Sequence, residues 1–222
     1  MNRSISDKPV GSDHSRENFI SEVIGAAAIL DPLCESQLFE AMLKIDRRNF
    51  LAANCSQRAE QDIDLPIGQD RFSPSPSFVA RTLGLAQIEK GDRVLELGAG
   101  SGYASAIISS LGAQLFSQEP APLIAQTCRK RLDQHGYSGV VVKAGDGAKG
   151  WSEYAPFNVI ISWIPFPKLP EALLTQLSIH GGRLVGSWGS DQIFLHCVTK
   201  NRSERKVFRF EKVDLPLYTR SQ

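Results

Sequence analysis

Gly98, Gly100 and Gly102 stand at alternate positions between the apolar run Arg93-Val-Leu-Glu-Leu97 and a helix-forming stretch that opens at Tyr103. The segment reads as a buried strand, a tight turn and a helix. Glycine lacks a Cβ, so such a turn can bend sharply and lie against a ligand. Glu96 precedes the first glycine by two positions. Glu119, at the end of the next apolar run, follows Gly98 by about 20 residues, a spacing that suits a carboxylate reaching the ribose hydroxyls of a nucleoside held over the turn.

The nucleoside is not specified by the turn alone. A dinucleotide site uses G-x-G-x-x-G, because its pyrophosphate rests on free amides at a helix start. Here the spacing is G-x-G-x-G, and Glu96 adds an anion beside the pocket. An anion repels a pyrophosphate but suits a cationic or zwitterionic ligand such as S-adenosylmethionine. A further strand end carries Gly145-Asp146-Gly147. Asp146 can accept from an adenine amino group, and the plainer reading is an Asx-turn.

Other chemistries find no support. Cys34, Cys55, Cys128 and Cys197 are scattered, without C-x-x-C and without a histidine at ligand spacing. They read as free thiols in a reducing cytoplasm. His14, His135, His180 and His196 join no serine or cysteine motif, so neither a metal site nor a nucleophile triad is expected.

The elements that must hold these residues alternate. Residues 17–31 predict an amphipathic helix closed by Asp31-Pro32, and 35–45 a second helix. The stretch 47–72 lacks periodicity and reads as loop and short turns. Ser73-Pro74-Ser75-Pro76 then makes a rigid turn, with Ser75 as N-cap and Pro76 at the first position of a helix over 77–85. From residue 92, strands are expected over 93–97, 114–118, 140–144, 159–162 and 183–185. Helices are expected over 103–111, 121–134 and 171–177. This pattern implies a parallel sheet covered on both faces. Residues 193–198 and 207–213 flank a turn-rich connector and read as an antiparallel hairpin at its edge.

The length of 222 residues suits one α/β domain with an N-terminal extension. We divide it into a disordered tail (1–16), helices and a substrate loop (17–91) and a ligand-binding α/β core (92–222). The net charge of +1 gives no support for a nucleic-acid or membrane surface. The apolar runs are too short to span a bilayer, and the polar start is no signal peptide. A cytoplasmic monomer is expected.

Val94-Leu-Glu-Leu-Gly-Ala-Gly-Ser-Gly-Tyr103, Leu111-Gly-Ala113, Gly145-Asp-Gly147, Gly150-Trp151 and Gly181-Gly-Arg-Leu-Val185 resemble the protein-L-isoaspartate O-methyltransferase family. So do Leu65-Pro-Ile-Gly68 and Ala41-Met-Leu-Lys-Ile-Asp-Arg-Arg-Asn-Phe50. The Ser-Gly-Tyr variant together with Leu-Pro-Ile-Gly is specific to this family among S-adenosylmethionine enzymes. The resemblance spans roughly residues 35–217. It implies a Rossmann-like class I methyltransferase: a mostly parallel seven-stranded sheet with an antiparallel C-terminal hairpin and N-terminal helices. It also implies transfer of a methyl group from S-adenosylmethionine to the free carboxylate of an L-isoaspartyl residue in a damaged protein or peptide, which starts repair. Carried over, Glu96, Gly98, Gly100 and Gly102 line the methionine side of the cofactor, Glu119 holds the ribose, and Asp146 with Gly147 meets the adenine.

The chain departs from the family on the substrate side. The family's loop reads Gly-Gln-Thr-Ile-Ser, and its serine contacts the substrate carboxylate. Ungapped counting puts Pro74 there, which has neither hydroxyl nor N–H. Ser73 or Ser75 replaces the serine only if the loop shifts by one residue, and Arg71 offers a bidentate alternative. Ser162-Trp163-Ile164-Pro165-Phe166 replaces small residues, and its rings either narrow the pocket or cover core. Two other readings stay open: a carboxyl methyltransferase that tailors a different peptide, and a catalytically silent adaptor that binds S-adenosylmethionine.

Overall fold

The computed structural model describes residues 11–213. In chain order its elements are α1 (Gly11–Ala27), α2 (Pro32–Lys44), β1 (Leu65–Gly68), β2 (Arg71–Ser73), α3 (Pro76–Ala86), β3 (Arg93–Leu97) and α4 (Tyr103–Ser110). There follow β4 (Gln114–Glu119), α5 (Pro122–Gln134), β5 (Val141–Ala144), β6 (Val159–Phe166), α6 (Glu171–Gln176), β7 (His180–Trp188), β8 (Phe194–Asn201) and β9 (Arg205–Lys212). Short 3-10 turns occupy Arg47–Phe50, Ser56–Arg58, Gly147–Lys149 and Ser152–Tyr154.

The sheet order is β5-β4-β3-β6-β7-β8-β9. Neighbours from β5 to β7 pair in parallel, and β8 and β9 are antiparallel additions. The chain winds outward from β3 to β5, then crosses back to β6 on the other side of β3. Open α/β sheets bind ligands beyond the carboxyl ends of the strands at such a switch point. The glycine turn leaves β3 there.

Period-two burial assigns the sheet's two faces. Val94, Ile161 and Val185 join the core beneath α1, α2, α3 and α4. Leu95, Ile160 and Leu184 join a second core with Phe157, Leu173 and Leu177. Runs buried on both faces are what a covered parallel sheet demands.

Several boundaries differ from expectation. α1 starts at Gly11, inside the stretch read as a disordered tail, and residues 1–10 lie outside the described residues. One cause is Arg16. Its guanidinium donates to the carbonyls of Met42, Leu43 and Ile45 (3.1, 3.1 and 2.6 Å), tying α1 to the end of α2. Asp31-Pro32 does not close α1. It opens α2, with Asp31 accepting from the Cys34 amide at 2.8 Å and Pro32 in the first turn. The stretch 47–72 is not all loop, because Leu65–Gly68 and Arg71–Ser73 pair as a hairpin. Its turn uses positive φ at Gly68, Gln69 and Asp70. Two strands this short give too few alternations to read as a period. β6 runs to Phe166 rather than ending at Ser162.

Candidate active site

Gly98 and Gly100 line a cleft at the switch point, together with Arg71, Ser73, Pro74, Ser101, Glu119 and Trp163. Positive φ at both glycines (90° and 54°) makes the turn. The hairpin roofs it: a Cβ on Gly100 would stand 3.4 Å from Ile67 Cδ1. The turn's own amides are occupied. Gly98 and Ala99 donate to the Gln118 carbonyl (2.7 and 3.3 Å), Gly100 to Glu119 Oε2 (3.0 Å) and Gly102 to the Ala99 carbonyl (2.9 Å). A pyrophosphate would find none of these four free, which removes the basis of a dinucleotide site.

Glu119 is buried, with Oε1 accepting from the Ala121 amide at 3.1 Å and Oε2 from Gly100. Burial raises its pKa, and the two amides and the charge of Arg71 counter part of that rise. Each oxygen accepts one bond here and has further lone-pair capacity, so the carboxylate can take hydroxyl donors from the cleft.

Glu96 sits behind the turn and is fully buried. Its carboxylate accepts from Ser105 (2.5 Å), from Ser117 and from the Trp163 indole N–H (2.9 Å). Burial pushes its pKa up. Glu96 is not on the cleft surface, so its carboxyl group is not presented there. Gly102 also faces inward, where a Cβ would meet Cys128 Sγ at 3.2 Å and Phe50 at 3.4 Å. Asp146 caps the following 3-10 turn by accepting from the Ala148 amide at 3.1 Å, the geometry of an Asx-turn. Gly147 packs beside Leu97 and Ile164, next to the glycine turn, but neither it nor Asp146 lines the cleft.

The substrate-side residues separate clearly. Ser73, at the end of β2, is buried and its Oγ accepts from Ser101 at 3.3 Å. Ser75 stays outside the cleft as the N-cap of α3, without a side-chain capping bond. Carboxylates from the preceding loop take over that capping: Asp64 accepts from the Ser75 amide and Asp62 from the Ser77 amide, both at 2.8 Å. Arg71 and Pro74 line the cleft. Phe166 does not, being buried in the second core.

Arg47 has a part that sequence reading missed. Its buried guanidinium donates to the carbonyls of Gln61 (3.2 Å), Ile63 (3.0 Å), Ser73 (3.4 Å) and Pro74 (3.0 Å). Burial lowers its pKa, and Tyr103, Asp64 and Asp62 counter that. It splints the loop that carries Ser73. Nothing local marks it, because arginine at a 3-10 start ordinarily faces solvent.

Among the described residues no helix is long and apolar enough to cross a membrane. Residues 21–218 match the sequence model of the family described as Protein-L-isoaspartate(D-aspartate) O-methyltransferase. A Protein-L-isoaspartate O-methyltransferase of Protochlamydia amoebophila is 37% identical over 194 residues, 87% of this chain and 90% of that protein. One from Methanospirillum hungatei is 37% identical over 199 residues, 89% and 90% of the two chains. A Plasmodium falciparum protein assigned the same activity, crystallised with S-adenosyl-L-homocysteine, superposes with a TM-score of 0.79 at 16% identity, over 93% of this chain and 99% of its own. The match runs from α1 past β9 on the fold that the motifs implied, and so the chain belongs to the protein-L-isoaspartate O-methyltransferase family.

Proposed function

We propose that this chain is an S-adenosylmethionine-dependent carboxyl methyltransferase acting on L-isoaspartyl residues of damaged proteins and peptides. One observation carries the reading. A single cleft brings together the glycine turn and Glu119 with Arg71 and Ser73. The first pair suits a nucleoside without phosphates, and the second suits a carboxylate.

In this reading Glu119 accepts from the ribose hydroxyls, and the turn lets the methionine portion lie close to backbone. Asp146 and Gly147 border the adenine end, and Glu96 and Gly102 hold the turn from behind. Bound S-adenosylmethionine supplies a methyl group that the carboxylate oxygen takes while the C–S bonding pair returns to sulfur. The nucleophile is already an anion, so the chain supplies no general base. Arg71 orients the carboxylate by paired N–H donors and Ser73 adds a hydroxyl. Ser73 is better placed than Ser75, whose backbone is committed to the start of α3. The hairpin roof at Ile67 keeps water from the reacting atoms.

Residues 17–91 then act as the substrate-side cover and 92–222 as the cofactor core of one catalytic domain. A repair role in the cytoplasm as a monomer belongs to the same reading.

The test is methyl transfer from labelled S-adenosylmethionine to a short isoaspartyl peptide, with the matching aspartyl peptide as control. Transfer to the isoaspartyl form alone is expected. Equal transfer to both, or none by protein that binds the cofactor, overturns the reading.

A further inference from the structure

Trp163, Ile164 and Pro165 line the same cleft as Ser73 and Arg71. A local break in β6 puts them there. Ser162 and Phe166 keep their register with β7, at Gly186 and Trp188, and the pairing slips between them. Ser162 stabilises the slip from within: its Oγ donates to the Ile164 carbonyl (2.8 Å) and accepts from the Ile164 amide (3.3 Å). Bulges re-aim side chains in this way. Here the result brings the Ile164 side chain and the Cβ of Trp163 against Gly98 of the glycine turn.

Both side chains are held. The Trp163 N–H is bonded to Glu96, and the ring meets Phe78 of α3 edge-on at 6.4 Å between centroids. If the ring swung aside, a fully buried carboxylate would lose a donor, a loss that nothing nearby is arranged to replace. Ile164 is wedged against the turn, since a Cβ on Gly98 would stand 2.9 Å from Ile164 Cγ1. The wall is therefore a fixed limit on the cleft rather than a side chain that yields to the ligand.

We infer that Trp163 is a specificity-determining residue, which restricts substrates to peptides with glycine or another small residue directly after the isoaspartate. The inference rests on the function proposed above. A carboxylate held by Arg71 and Ser73 enters from the hairpin side. The chain leading away from it has to pass the indole, which lines the same cleft and is held in place. A small neighbour passes and a bulky one meets the ring.

The experiment compares kcat/KM for four isoaspartyl peptides that differ only in the following residue, glycine, alanine, leucine or phenylalanine. The wild-type chain is expected to favour glycine and alanine over leucine and phenylalanine by about tenfold or more. In W163A the four values are expected to converge within about threefold. W163F keeps a ring and loses the N–H, and is expected to retain the preference. Equal wild-type values, or a preference for phenylalanine through ring stacking, overturn the inference while leaving the proposed function standing. A preference that survives in W163A overturns the role of Trp163. No transfer to any of the four overturns the proposed function and the inference with it. The wild-type series decides the inference even if W163A does not fold.

Discussion

On one wall of the cleft, the glycine turn spends its amides on the end of the neighbouring strand: Gly98 and Ala99 on Gln118, Gly100 on Glu119. On the other wall the loop through Arg71, Ser73 and Pro74 is held by distant groups. Arg47 grips its carbonyls across 26 and 27 positions, Asp62 and Asp64 cap the helix it leads into, and Trp163 of β6 meets Phe78 of that helix. The first wall is a by-product of strand pairing and inherits the rigidity of a parallel sheet. The second is assembled from side chains of Arg47, Asp62 and Asp64 bonded to backbone, none of which belongs to a strand of the seven-stranded sheet. That difference explains how the cofactor side can keep the family's pattern while the substrate side departs from it at Pro74 and Trp163.

The comparison breaks most easily at the splint. Arg47→Ala is expected to cost about 3 kcal/mol or more, because it strips donors from four carbonyls in a buried place. Urea unfolding reads the cost. In the surviving folded protein, the KM for peptide should rise more than the affinity for S-adenosylmethionine falls. Equal damage to both ligands would mean that the two walls are not separately built.

Glu119→Ala probes the opposite wall. Loss of a charged acceptor for two hydroxyls should weaken S-adenosylmethionine binding by about 100-fold, roughly 2.7 kcal/mol. Calorimetry measures this directly, and unchanged affinity would remove Glu119 from the ribose site.

Arg71→Ala is expected to lower kcat/KM for an isoaspartyl peptide by about tenfold and to leave cofactor affinity within about twofold. Arg71 also acts electrostatically on Glu119, so a larger cofactor effect than peptide effect would reassign it to the first wall.

The smallest effect concerns Glu96. Burial pushes its pKa above the ordinary carboxylate value, and the bonds from Ser105, Ser117 and Trp163 counter part of that rise. The contribution of Glu96 to stability is therefore fully present below its ordinary carboxylate value and is lost as pH rises through the raised one. In Glu96→Gln that part of the decline should vanish. Urea midpoints across a pH series would show it, and identical slopes in the two proteins would mean that Glu96 is ionised in the fold.

The regular core was legible because each of its signals is local. Alternating apolar runs give strands, the glycines give the turn after β3, and Gly136, at φ 88°, closes α5 as expected. Even Ser75 was correctly placed at the start of α3, although the carboxylates that cap the helix come from Asp62 and Asp64. What failed was local in another sense. Two strands of four and three residues carry no measurable period, so the β1–β2 hairpin was read as loop. Asp31-Pro32 fits a helix end as well as a helix start, and only the position of Cys34 decides between them.

Alternating apolar runs and the glycine spacing along the chain are enough to imply the parallel sheet and to put Glu119 at the strand end beside the glycine turn, and the motifs carry the resemblance to the family. Tertiary structure alone decided that Glu96 turns inward to Ser105, Ser117 and Trp163, that Ser73 rather than Ser75 reaches the cleft, and that Arg47 holds the loop. Each of these is a choice of partner among residues far apart in sequence. Burial and hydrogen-bond geometry make that choice only once the sheet has brought the candidates together.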